Sequence, residues 1–255
     1  MRNWARGWFA KLLLTAGCSV MICITSGAKD KDKDKPKSGS QIVDSGSFGV
    51  FNSGTRVATE TFSVEQSATG SVITSQFKSA QGEQVAEQSS ELQLAPSAEL
   101  RKYEWKATSP EKITATVVPD EAFLIEHYTS ASDNKMHDQN FLLSASTAIL
   151  DDYFFVHREV LAWKYLASAC KTSKAGPSCP LHQKVQFGSL NPHARNSSSV
   201  GIEYAGRDKV TLHGTQRELS RFLMTSEAGD WSFWLDDQLK LVRLLSDSGT
   251  EIVRD

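Results

Sequence analysis

The chain has 255 residues, 40% of them apolar and 9% aromatic, with 28 Lys and Arg against 30 Asp and Glu. That is enough apolar side chain for a packed core, which excludes a collagenous, coiled-coil or wholly disordered chain. Setting aside the basic first 28 residues leaves 25 basic against 30 acidic side chains, a weakly acidic balance that argues against nucleic acid as a partner.

Arg2, Arg6 and Lys11 precede an apolar run from Leu12 to Thr25 and the small residues Ser26, Gly27 and Ala28. This is the arrangement of a secretory signal peptide spanning residues 1–28, with Ala28 the last residue removed. A permanent membrane helix needs roughly 20 apolar residues, and this run is shorter and diluted by Thr, Ser, Gly and Cys, so no transmembrane span is expected after cleavage. Thr15-Ala16-Gly17-Cys18 supplies an alternative, a bacterial lipoprotein box acylated at Cys18, although Thr15 stands where an aliphatic residue is usual. The expected destination is outside the cytosol, periplasmic or extracellular. Cleavage leaves Cys170 and Cys179, which an oxidising compartment would join in a disulfide. No metal is expected there, because two further ligands are needed and His182 is the only one nearby.

Residues 29–44 read as a disordered, charged linker, since the Lys-Asp repeat from Lys29 to Lys35 has no apolar side chain to offset the entropy of ordering it. A single β domain is expected over residues 45–255. From Ser45 to Leu143 the sequence alternates at period two, as in Ala58, Glu60, Phe62 and Val64 or Tyr103, Trp105 and Ala107. Breaks fall at Asn52-Ser53-Gly54, Ala68-Thr69-Gly70, Gln81-Gly82, Ala95-Pro96, Ser109-Pro110, Pro119-Asp120 and Ser132-Asp133-Asn134. The pattern predicts about eight half-buried strands, and the absence of room for crossover helices predicts antiparallel pairing.

The stretch from Ile149 to Ala167 lacks Gly and Pro and repeats Ile149, Tyr153, Val156, Val160, Trp163 and Ala167 at helical spacing. It predicts one helix over about 149–167, with Asp151 and Asp152 in the first turn where the helix dipole favours acids. A second apolar flank of Leu150, Phe154, Leu161 and Tyr165 predicts that the helix plugs or covers the sheet. Alternation then returns around Val185 and Phe187, Ile202 and Tyr204, Val210 and Leu212, and Phe222 and Met224. A hairpin follows, from Trp231 to Leu235 and from Leu239 to Leu245, turning at Asp236-Asp237-Gln238. Trp234 faces away from Phe233 and Leu235, so that strand should be covered on both sides. The fold class expected is mainly β: a single antiparallel curved sheet or open barrel of about 12–14 strands wrapped around one helix.

The common hydrolase, nucleotide-binding and zinc-protease signatures are missing, so no catalytic residue and no cofactor are assigned. His127 and His137 lie on neighbouring strands and could be cross-strand or diagonal partners, but Glu126 and Asp138 fall on the faces opposite their adjacent histidines, which argues against a metal site. Asp151 and Asp152 lie five and six positions before His157 and do not share its helical face; helix-start electrostatics accounts for them. The aromatic residues remain as the candidate for ligand binding. Trp105, Phe123, Tyr153, Trp163, Phe222, Trp231 and Phe233 could line a pocket for a lipid or other apolar ligand, or could fill an aromatic core.

Three stretches carry a resemblance: Gly46 to Phe51 with Thr59 to Val64, Ile149 to Phe155, and Trp234 to Arg243. Together they resemble uncharacterised exported bacterial all-β proteins similar in outline to LolA-like and LolB-like lipoprotein carriers. The resemblance implies a curved antiparallel sheet around a helix, with an apolar concavity and no catalytic residues. The resulting expectation is an exported, non-catalytic envelope protein that binds an apolar ligand or a lipidated partner in that concavity. The alternative is an interaction or scaffold domain with a filled core. A carrier should have an apolar cavity of at least ~300 Å³ between sheet and helix.

Overall fold

The computed structural model describes residues 39–79, 85–129, 134–173 and 176–255. The signal peptide and residues 29–38 of the linker lie outside the described residues. Residues 41–44, read as linker, instead open the first strand, β1 (Gln41–Asn52). Asp44 explains the departure: its carboxylate is buried and takes hydrogen bonds from Arg254, so a polar segment is drawn into the sheet.

The meander continues through β2 (Thr55–Ser67), β3 (Gly70–Ser79), β4 (Glu87–Leu94), β5 (Leu100–Ser109), β6 (Ile113–Asp120), β7 (Phe123–Thr129) and β8 (Met136–Phe141). A two-residue strand, β9 (Ala148–Ile149), leads into the helix α1 (Val156–Ala169), which is followed by a small ribbon of β10 (Lys171–Ser173) and β11 (Gly176–Ser178). The second meander is β12 (Val185–Asn191), β13 (Asn196–Leu212), β14 (Thr215–Ser226), β15 (Trp231–Leu235), β16 (Leu241–Ser246) and β17 (Thr250–Arg254).

All strands outside the ribbon form one open, curved sheet of 15 strands, in the order β8 to β1, then β17 down to β12, then β9. From β1 in the middle of the sheet the chain therefore runs out to one edge, crosses by way of β9 and α1 to the other edge, and returns to the middle. There β17 pairs antiparallel with β1, placing Phe48 opposite Arg254. Among the described residues the strands pair antiparallel except at the short β9–β12 contact, where Ser189 and Leu190 run parallel to Ala148 and Ile149, and an isolated parallel bridge joins Leu181 to Tyr204. The sheet wraps around the single helix, in keeping with the expected class.

Period-two alternation puts Phe62, Val64, Ile73, Phe77, Leu92, Tyr103, Trp105 and Val117 on the concave face, where they join Phe154, Leu161 and Tyr165 in one continuous core. Two predicted strands, at Ile202–Tyr204 and Val210–Leu212, are one long strand, β13. Its register shifts between Tyr204 and Gly206, and Gly206 adopts φ +105°, a conformation that costs glycine little. Beyond this bulge Val210, Leu212 and Leu219 pack with Trp234 and Val242 in a second, smaller cluster. Trp234 is only 4% exposed, so β15 is covered on both faces. β17, β9 and the ribbon had no clear sequence signal.

The helix starts seven residues later than its periodicity predicts. Ile149 is taken into β9, and the Leu150 amide donates to the Leu190 carbonyl. Asp151 then folds back to accept a hydrogen bond from the Tyr153 amide at 2.9 Å, the local side-chain turn by which aspartate competes with helix. Asp151 and Asp152 therefore do not lie in the first helical turn. At the other end the Cys170–Cys179 disulfide ties α1 to β11 and the segment after it. Among the described residues no helix is long and apolar enough to cross a membrane.

Candidate functional site

The helix divides the concave space unequally. Toward β13–β15 it is packed solid: the Tyr165 ring meets Phe222 edge-on at 5.8 Å, Phe222 stacks on Phe233 at 5.1 Å, and Tyr165 Oη donates to the Gln183 carbonyl while accepting from the Tyr204 amide. Toward β2–β4 it leaves a cavity of about 690 Å³. Val64, Ile73 and Leu92 form the sheet wall, His157, Val160, Leu161 and Lys164 the helix wall, and Ile149 a third side. Trp163 closes the flank by donating its indole N–H to the Leu239 carbonyl at 2.7 Å.

Burial grades along the cavity. Val64, Ile73, Leu92, Ile149, His157 and Leu161 are all buried, whereas Gln66, Pro96, Ser97, Ala167 and Ser168 at the other end are exposed. The mouth thus lies between the C-terminal end of α1 and the β2–β3 and β4–β5 turns. Gly70 is required in the first of these turns: at φ +136° a Cβ would come within 2.0 Å of the Leu94 carbonyl oxygen. Lys164 donates to the Ser146 carbonyl, and Lys240 pairs with Asp44 at 2.9 Å, so both lysines on the lining are already engaged.

One polar group deep in this lining is unsatisfied. His157 is 1% exposed, and neither ring nitrogen has a hydrogen-bond partner among the described residues. Its ring stands edge-on to Tyr103 at 5.4 Å. Burial lowers its pKa to about 4, with nearby Arg158 and His193 acting in the same direction and Asp151 opposing them, so the ring is neutral at ordinary pH.

Two buried polar clusters beside the cavity are joined by hydrogen bonds and fix the architecture around it. Tyr103 Oη donates to Asp151 at 2.7 Å, and His193 Nδ1 lies 2.6 Å from the same carboxylate while its Nε2 lies 2.6 Å from Gln88. The His193 ring stacks on Trp105 at 3.7 Å, pinning the β12–β13 turn against β4 and β5. Burial opposes ionisation of Asp151, but the His193 contact holds its carboxyl below the usual range. On the opposite side of α1, Arg254 bridges Asp44 and Glu159 and lies over the rings of Phe48 and Phe62. Burial and the neighbouring Asp44 push the Glu159 carboxyl well above the ordinary range. These groups act as joints between strands and helix and leave no open cleft around the Asp151–His193 pair.

The seven aromatic residues singled out from the sequence do not converge. Trp163 alone among them lines the cavity. Phe222 and Phe233 are filled core, Trp105 stacks under His193, Tyr153 meets Phe77 edge-on, and Trp231 takes the Arg158 guanidinium over its ring. Phe123 is 42% exposed and shares the outer face of β7 with His127, away from the helix. The expected His127–His137 partnership is also replaced. The β7–β8 register sets His127 opposite Asp138, 2.6 Å apart, and His137 opposite Tyr128 on the other face. Among the described residues no group of three or more His, Cys, Asp and Glu is arranged to hold a metal ion.

Sequence reasoning missed the cavity wall because it is aliphatic and spread over β2, β3, β4 and α1, with no aromatic signature. In the sequence His157 is weighed only against Asp151 and Asp152, whose helical face it does not share. The available signal was its place on the apolar helical face shared by Val160, Leu161 and Lys164. The chain matches no protein-family model, no curated protein and no solved structure.

Proposed function

We propose that this chain is an exported, non-catalytic envelope protein that holds an apolar ligand, or the apolar anchor of a lipidated partner, in the cavity beneath α1. The observation that carries the reading is that cavity: about 690 Å³ between one face of the helix and β2–β4, with Val64, Ile73, Leu92, Ile149 and Leu161 on its buried walls and polar side chains such as Gln66, Ser97, Lys164 and Ser168 where it opens to solvent. The aliphatic walls of this open cleft suit a hydrocarbon, whose transfer from water contributes about 25 cal/mol for each Å² buried, and its polar rim suits a head group. Export is supported by the signal-like first 28 residues and by the Cys170–Cys179 disulfide. The resemblance to LolA-like and LolB-like carriers points the same way.

Native mass spectrometry of the purified protein, together with uptake of an apolar fluorophore, tests the reading. Wild type should carry co-purified lipid or take up the dye, and Val160→Trp, which fills the cavity from the helix side, should abolish uptake while leaving the fold intact. A wild-type protein that carries nothing and takes up no dye overturns it.

A scaffold role has one observation in its favour. β8 is an outer edge of the sheet and is flanked by exposed Met136 and Leu142. Such an edge can accept a partner strand, and a partner captured through β8 in a protein whose cavity binds nothing would favour that role.

A further inference from the structure

The two ends of the sheet differ. At one end it stops at β9, which is two residues long and offers little to pair with. At the other end β8 runs for six residues, Met136–Phe141, and pairs on one side with β7. A strand in that position presents unpaired backbone amides and carbonyls, and chains ordinarily blunt it with lysine, proline or a bulge. β8 has none of these. Its register against β7 is unbroken from Thr129–Met136 to Leu124–Phe141, and its only acid, Asp138, is already met by His127 at 2.6 Å. Among the described residues the edge is therefore regular, nearly neutral and open.

The two faces of β8 carry different groups. His137, Gln139 and Phe141 turn to the concave side, where Gln139 donates to the Arg195 carbonyl, His137 stacks on Tyr128 and Phe141 joins the core. Met136, Asp138 and Asn140 alternate with them on the convex side, and Leu142 follows just past the strand end. Met136 is 63% exposed and Leu142 78%, the two most exposed large apolar side chains among the described residues. They stand three residues either side of Gln139.

That spacing makes the strand complementary to itself. Two copies related by a two-fold axis pair antiparallel, and residues opposite one another must point to the same face, so the axis passes through a residue. With the axis at Gln139, Met136 of each copy falls opposite Leu142 of the other, Asp138 opposite Asn140, and His137 opposite Phe141. Moving the axis to Asp138 sets the two acids against each other, and moving it to Asn140 sets Asp138 against Leu142, both unfavourable cross-strand pairs.

We infer that β8 is a homodimer interface: a second copy of this chain pairs antiparallel with it about a two-fold axis at Gln139, covering Met136 and Leu142 with each other and continuing the sheet. A contact of this size falls below the standard interface, so the dimer is a weak one with a dissociation constant in the micromolar range. No residue of β8 lines the cavity beneath α1, so the inference stands apart from the carrier reading. It names the occupant of an edge that the scaffold reading leaves open.

Sedimentation velocity of the purified protein over a concentration series from micromolar to millimolar tests it. Wild type should pass from monomer to dimer within the series. Met136→Lys or Leu142→Glu alone should weaken the dimer at least about tenfold, because each puts a charge opposite an apolar side chain at two symmetric contacts. Both side chains are exposed, so circular dichroism and melting temperature should match wild type. The double variant, which sets opposite charges across both contacts, should recover the dimer. A wild type that stays monomeric throughout, single variants that dimerise like wild type, or a double variant no better than either single one overturns the inference. Uptake of the apolar fluorophore into the cavity should be equal in wild type and all the variants, so a protein that dimerises in this way but takes up no dye loses the carrier reading alone.

Discussion

The Glu60 carboxylate, on β2, accepts the backbone amide of Phe155 at 2.7 Å, so a strand side chain 95 residues away supplies the cap that α1 lacks locally. Ser75 donates to the same carboxylate at 2.7 Å, and the Val156 amide lies 3.3 Å from it. The first residues of the helix have no capping side chain of their own, and Glu60 satisfies two amides that would otherwise be orphaned in the core. Glu60→Ala should therefore cost about 2–3 kcal/mol, read by chemical denaturation. Hydrogen exchange should speed up first at the N-terminal turn of α1.

Glu126 gives a pH dependence of definite sign. It sits fully buried on β7 with no hydrogen-bond partner for either carboxylate oxygen among the described residues, and burial raises its pKa from 4.5 to about 8, with Arg195 opposing. In the folded protein it stays protonated up to about 8, whereas the unfolded chain loses that proton above 4.5. Unfolding thus releases a proton in this window, and stability falls as pH rises through it. Glu126→Leu should be more stable than wild type by about 1–3 kcal/mol at the upper end of the window and should gain little below 4.5. Thermal melts of both proteins across the range check this.

His157 should show the opposite slope. Its folded pKa of about 4 lies below the ordinary 6.5, so the unfolded chain takes up a proton first and stability falls as pH drops between those values. His157→Leu should stabilise the ligand-free protein by about 1–3 kcal/mol at neutral pH, because it removes an unsatisfied buried group. The gain should widen on acidification from 6.5 toward 4. Denaturation midpoints at several pH values measure it.

Arg254 is the charge on which the centre of the sheet turns. Its guanidinium lies 2.5 Å from Asp44 on β1 and 3.1 Å from Glu159 on α1, and its Nε donates to the Leu241 carbonyl. Arg254→Met would leave two buried acids facing each other with only Lys240 nearby. It should cost about 3–5 kcal/mol in an unfolding titration, and Glu159→Gln in the same background should recover part of the loss.

Much of the sheet could be read directly from the residues. Turn residues and period-two alternation mark out most of the first meander, because its strands have one wet and one dry face, whereas β4, mostly polar, shows no apolar alternation of its own. The helix boundary could not be read so well, since Ile149 and Asp151 fit a helical repeat, and only Leu190, Tyr103 and His193, all distant in sequence, draw them out of it. The same limit hid the cavity. An aliphatic side chain gives the same pattern whether it meets another side chain or empty space, and the prominent aromatics proved to be the solid part of the core.

The pairing of β1 with β17 sets the order of assembly. Ser47 and Asp255, 208 residues apart in the chain, meet at this seam, so hairpin zippering alone cannot make the sheet continuous. Two preformed halves must find a single registration across a very large loop, and until they do β1 presents a bare ladder of amides and carbonyls. Refolding speed should be governed by that stitching event, and an extended peptide that mimics β17 would compete with it.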